Sequence, residues 1–246
     1  MDPRLTGLTL KTSLSALTDL VLPRVCVVCG RPLMPQEQHL CLGCLADLPL
    51  THYAQMARNP MADRLNAHLQ PDTYEPYSYA AALYHYRADA GYKLISQALK
   101  YHRDFGTGRW AGRLLGQSLA ASTLFADVDL VIPVPLHWTR RWRRGYNQAA
   151  VIGREVARML GAPCAERMLR RCRRTRSQTR LSGADKAHNV AGAFSLGSKR
   201  LPAHHILLVD DVFTTGATLA ACHAALRRGY GPQVRISVAT LGVVGG

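Results

Sequence analysis

The sequence predicts an α/β protein built on a largely parallel sheet flanked by helices, with a small four-cysteine module in front. Three observations carry that prediction. Short apolar runs such as "VDLVIPVP" (128–135) and "HILLVD" (205–210) are continuous rather than alternating, as strands covered on both faces require. Stretches with apolar residues at helical spacing separate those runs, the order from which parallel sheets are made. The cysteines of "CVVCGRPLMPQEQHLCLGC" form two C-x-x-C pairs near the start. A chain of 246 residues has room for one good-sized domain and one small module.

In order along the chain, Leu10, Leu14, Leu17 and Val21 recur at helical spacing and predict a docking amphipathic helix. This segment lacks the basic start and continuous apolar block of a signal peptide. The paired cysteines Cys26, Cys29, Cys41 and Cys44 can offer four thiolates to a tetrahedral zinc ion, and Gly30 and Gly43 suit the tight turns of a knuckle. A complete set of four thiolates makes the zinc structural and His39 surplus; a redox-active dithiol pair is the competing reading. Residues 1–50 are therefore assigned to helix plus knuckle. Residues 51–78, with Pro60, Pro71 and Pro76, are expected to be a linker with short helical pieces. Residues 79–246 are expected to form the α/β domain. Its strands are "YAAALYHY", "VDLVIPVP", "HILLVD" and "VRISVATLG". Its helices lie around Leu94–Leu99, Trp110–Leu119, Ile152–Leu160 with Gly161 as a stop, and from Thr218 to near Gly229.

Composition narrows the partners. The net charge of +15 attracts phosphates, on nucleotides, nucleic acid or anionic lipid. No run of about 18 apolar residues exists, so no membrane span is expected and the chain is assigned to the cytoplasm. Reducing conditions there favour metal over disulfides for clustered cysteines.

The densest chemistry is "HHILLVDDVFTTGATLAACHAAL" (204–226). Asp210 and Asp211 end a predicted central strand, and Thr214, Thr215, Gly216, Ala217 and Thr218 turn into a helix. Backbone N–H groups at such a turn cradle an anion, and glycine allows close approach. Two acids beside a phosphate cradle would repel it unless they serve sugar hydroxyls or a divalent cation. The loop therefore reads as a ribose-5-phosphate site, against the plainer possibility of an acid pair capping a helix. "VIPVPLHWTRRWRRGYNQAA" adds Arg140, Arg141, Arg143 and Arg144 with Trp138 and Trp142 on the same rim, suited to pyrophosphate or to single-stranded nucleic acid. The run 167–194 carries Gln178, Thr179, Arg180 and Asn189 as candidates for a closing lid.

"ILLVDDVFTTGAT" resembles the phosphoribosyl pyrophosphate (PRPP) motif of type I phosphoribosyltransferases. With the cysteine knuckle, "LKY" (99–101), "PVPLH…RRGYNQA" and "TRSQTRLSGADKAHNVAGAF", the order of segments resembles the ComF family of competence-associated, phosphoribosyltransferase-like proteins. That resemblance implies a type I phosphoribosyltransferase-like fold, a zinc finger, PRPP bound with Mg²⁺ and involvement in the uptake of DNA. Two functions compete: a PRPP-binding protein that handles single-stranded DNA, and an active transferase passing ribose-5-phosphate to an amine or base nitrogen. A zinc-stabilised scaffold docking on DNA-uptake machinery is a third. Related oxopurine salvage enzymes carry an Asp as general base where Thr214 stands, which argues against hypoxanthine or guanine as acceptor.

Overall fold

A computed structural model describes residues 23–69, 76–136, 144–172, 192–198 and 200–245. The elements in order are α1 (Leu42–Ala46), a 3₁₀ turn (Tyr53–Gln55), α2 (Pro60–Leu69), β1 (Ala80–Tyr86), α3 (Lys93–Tyr101), α4 (Phe105–Ala120), β2 (Leu130–Pro133), α5 (Gln148–Leu160), β3 (Leu169–Arg171), β4 (Phe194–Leu196), β5 (His205–Phe213), α6 (Ala217–Tyr230) and β6 (Arg235–Val244).

Four strands make one sheet in the order β1-β6-β5-β2, every pair parallel. Because side chains alternate along a strand, the sheet has two apolar faces. Ala82, Ile132, Leu208 and Val238 meet Met61 and Leu65 of α2 and Leu219 and Leu226 of α6. Leu83, Val131, Leu207 and Leu241 meet Leu99, Leu115 and Ile152 of α3, α4 and α5. This is the doubly covered parallel sheet that the continuous apolar runs predict. Helices α4 and α5 approach closely through glycine: a Cβ on Gly116 would stand 2.8 Å from Met159 Cβ, and one on Gly112 3.1 Å from the Ile152 carbonyl oxygen. Asp104 caps α4 by accepting from the Thr107 N–H at 2.9 Å, and Gly161 ends α5 at φ +68°.

Two differences from the sequence reading matter. Residues 51–78, expected as a linker with short helical pieces, contain the ten-residue α2, whose Met61, Ala62 and Leu65 are fully buried in the core. Pro60, taken as a breaker, sits at the first helical position, where its missing N–H costs nothing. The strand expected to end at Asp210 runs on to Phe213, so the acid pair lies within the strand, two residues before its end. The predicted N-terminal amphipathic helix lies outside the described residues. Among the described residues, no helix is long and apolar enough to cross a membrane.

Leu65 tests whether α2 belongs to the core. Leu65→Ala should cost about 2–5 kcal/mol, as for other buried leucines, measured by urea unfolding. A change below about 0.5 kcal/mol would mean that α2 is a loosely tethered connection.

Candidate functional site

All four parallel strands bring their carboxyl ends to one rim, and the acid pair lies there on β5. Parallel α/β sheets bind ligands at that rim. The two carboxylates lean to opposite faces of the sheet. Asp211 Oδ2 is 2.6 Å from Lys100 Nζ at the end of α3. Burial works against the charge on Lys100, but Asp211 beside it more than offsets this and raises its pKa. Asp210 lies towards α6, where its charge bears on buried Cys222. Burial first, then the Asp211 charge, pushes the Asp210 carboxyl up to about 7. Lys100 and a proton on Asp210 thus blunt the repulsion that two acids would present to an anion.

Beyond Phe213 the chain turns sharply. Gly216 has φ +86°, and a Cβ there would stand 2.8 Å from Phe213 Cζ, so both its conformation and its crowding call for glycine. The carbonyls of the turn are held from α2. Arg64 donates to the Thr214 carbonyl and, at 2.7 Å each, to those of Val244 and Gly245. Its guanidinium lies 5.0 Å over the Phe213 ring. His68 Nε2–H donates to the Thr215 carbonyl at 2.7 Å. With carbonyls of the turn engaged on one side, α6 begins at Ala217, and its first N–H groups have no intrahelical acceptor. Thr214 and Thr215 are exposed; Ala217 and Thr218 are partly so.

Arg64, His68 and Lys100 are site residues that sequence reasoning did not single out. Arg64 and His68 lie four apart on one helical face, which is the signal that could have paired them. Lys100 stands in the "LKY" segment, with nothing local to say that it reaches Asp211. Arg144 is described and lies 5.7 Å over the Tyr101 ring. Trp138, Arg140, Arg141, Trp142 and Arg143 lie outside the described residues, as do Gln178, Thr179, Arg180 and Asn189. The last four lie in the sequence between β3 and β4, which pair antiparallel from Leu169–Leu196 to Arg171–Phe194.

The four cysteines form a second constellation. Their sulfurs all lie within 4.8 Å of one another and could hold a metal ion. Cys29 Sγ and Cys41 Sγ are 3.8 Å apart, the edge of a tetrahedron with bonds of about 2.3 Å. Gly30, at φ +72°, makes the first knuckle turn. Gly43 was expected to make the second, but it lies inside α1, without positive φ, and the helix itself folds Cys41 towards Cys44. The Cys44 N–H points at Cys41 Sγ from 3.4 Å and, with Arg31, lowers the Cys41 pKa to about 6, towards the thiolate a metal needs. His39 is engaged elsewhere: its Nδ1 is 3.1 Å from Thr107 Oγ1, and its ring packs against Trp110. Thr107 Oγ1 donates to Asp104, so His39 is the donor to Thr107.

The raised Asp210 pKa has a pH signature. The folded chain holds a proton there that the unfolded chain loses, so Asp210 removes stability as pH rises from about 4 to about 7. Asp210→Asn keeps the acceptor for the Asp211 N–H and removes the charge. Its melting temperature should exceed wild type by more at pH 8 than at pH 5; an equal difference at both would contradict the burial.

No protein-family model matches the chain. Over 140 residues it is 35% identical to competence protein F of Haemophilus influenzae, covering 55% of this chain and 61% of that protein. Over 148 residues it is 33% identical to DNA utilization protein YhgH of Salmonella typhi, covering 58% and 64%. The corresponding protein of Escherichia coli K12 matches at 34% over 110 residues, 44% of this chain and 47% of that one. The chain thus spans less than two thirds of these relatives. With the parallel sheet, the acid pair on its rim and the clustered cysteines, these similarities support the resemblance to the ComF family.

Proposed function

We propose that the chain binds PRPP, with Mg²⁺, at the β5 rim and handles single-stranded DNA during its uptake into the cytoplasm, with a structural zinc ion in the knuckle. The observation that carries the PRPP reading is the glycine-centred bend at the parallel rim, with its carbonyls drawn away by Arg64 and His68 and a 14-residue helix starting behind it. The first-turn N–H groups of α6 and the Thr214, Thr215 and Thr218 hydroxyls take the 5-phosphate. Asp210 and Asp211 take the ribose hydroxyls, and Lys100 balances the charge. Asp210 and Asp211 would hold the divalent ion, which would neutralise charge on the pyrophosphate. The DNA reading is supported by the +15 charge and by relatives named for competence and DNA utilization.

A second reading, transfer of ribose-5-phosphate to an amine or base nitrogen, is favoured by Lys100. Its ammonium stands beside the acids, where charge on departing pyrophosphate would need compensation. Pyrophosphate release over a panel of amines and bases separates the two: none above background fits a ligand-binding role, and turnover with any acceptor fits an enzyme.

Calorimetric titration of PRPP should give saturable heat with wild type and none with Asp210→Ala/Asp211→Ala; unchanged affinity in the double variant would refute the site. Lys100→Ala should weaken PRPP by about tenfold or more, since it leaves Asp211 uncompensated beside an anion. For the knuckle, metal analysis should find zinc in wild type and lose it in Cys41→Ser, with a lower melting temperature. Stoichiometric zinc retained by Cys41→Ser would exclude the four-thiolate site.

A further inference from the structure

A second basic face stands apart from the acid pair. It runs from the end of α3 to a cavity of about 540 Å³ walled by the first turns of α4 and α5, within the size range of ligand sites. Phe105 and Tyr146 form one wall, packed edge to face with centroids 4.8 Å apart. The Tyr146 hydroxyl donates to the Leu99 carbonyl, which fixes that wall to the end of α3. Tyr101, two residues on, is 65% exposed and carries the Arg144 guanidinium over its ring. Aromatic surface therefore continues from the outer face into the cavity.

The charges along this path are unequal. The carboxylates at the mouth are already engaged: Glu166 binds Arg154 through two nitrogens, Glu155 pairs with Arg158 at 2.7 Å, and Asp104 caps α4. Arg109 and Arg167, both lining the cavity, are exposed and make no ion pair with a described residue. Arg103 adds a third such cation at the edge, where a Cβ on Gly145 would come within 3.9 Å of its guanidinium. It holds φ +55° just past the end of α3, a position where glycine is the least strained residue. An arginine kept there, two residues from an exposed tyrosine, places charge where ligand backbone would pass.

We infer that this face is the track for single-stranded nucleic acid, with Tyr101 and Tyr146 receiving bases and Arg103, Arg109 and Arg167 receiving backbone phosphates. Flat aromatic faces spaced among arginines bind unpaired bases of any sequence, whereas a duplex hides its base faces in its own stack. The inference rests on the DNA-handling reading and specifies where it happens. The track begins next to Lys100, so a strand lying on it passes beside the acid rim without occupying it.

The test uses the full chain and a fluorescein-labelled oligothymidylate of about 16 nucleotides, titrated by anisotropy over a series of salt concentrations. Arg109→Glu/Arg167→Glu should weaken binding by about tenfold or more and make the log–log salt slope shallower by about 1.4, two contacts at about 0.7 each. Tyr101→Ala should weaken it by about fivefold or more. Arg103→Gly relieves a strained backbone, so it should lower affinity while leaving the melting temperature unchanged or raised. Wild-type binding that none of these variants alters would overturn the track while leaving DNA handling intact. Absence of oligonucleotide binding by wild type would remove both, whatever PRPP does in calorimetry. A duplex of equal length bound as tightly as the single strand would overturn the stacking role.

Discussion

The structure depends on β5 being paired in parallel on both edges and covered on both faces. Leu207, Leu208 and Val209 are fully buried, and each such side chain contributes on the order of 1.5–3 kcal/mol. Parallel neighbours on either side force the connections to return to the opposite end of the sheet, so every carboxyl end gathers on one rim. That places Asp210 and Asp211 where the hydrogen-bonded ladder stops being a core and becomes a surface. Carrying acids so close to the core is costly, and the two are treated differently. Asp211 is paired with Lys100, while Asp210 is shifted towards its neutral form.

The parts ahead of the sheet are built into it. The knuckle cysteines Cys26 and Cys41 share the hydrophobic cluster of α3, α4 and α5, and His39 joins the knuckle to the capped start of α4 through Thr107 and Asp104. From the other face, α2 holds both the turn after β5 and the end of β6 through the single guanidinium of Arg64. Loss of α2 packing would therefore reach the rim directly, through Arg64 and His68.

The sheet and its helices were legible because their apolar residues repeat locally: the 3.6-residue period of α3, α4 and α5 and the unbroken runs of β2 and β5 need no knowledge of distant chain. The cysteine spacing was legible for the same reason. α2 was not, because its buried residues are few, its mean character is polar, and Pro60 signals a break and a helix start equally well. Contacts that complete the rim are invisible to any local pattern: Lys100 meets Asp211 and Arg64 meets Thr214 across more than a hundred residues. The acid pair was recognised as chemistry, but its placement on two faces of a strand continuing to Phe213 depends on pairing with Gly242 and Val243. Period-two alternation would have given that geometry had the strand's end been known.

What remains decisive is whether the bend after β5 clasps a phosphorylated pentose. Amide chemical-shift mapping of ¹⁵N-labelled chain during addition of PRPP and Mg²⁺ reads this directly, because the ligand is assigned to backbone N–H groups. The predicted result is saturable shifts centred on Thr214 to Thr218, with smaller ones at Asp210, Asp211 and Lys100. Shifts clustered elsewhere, or none at saturating ligand, would contradict it.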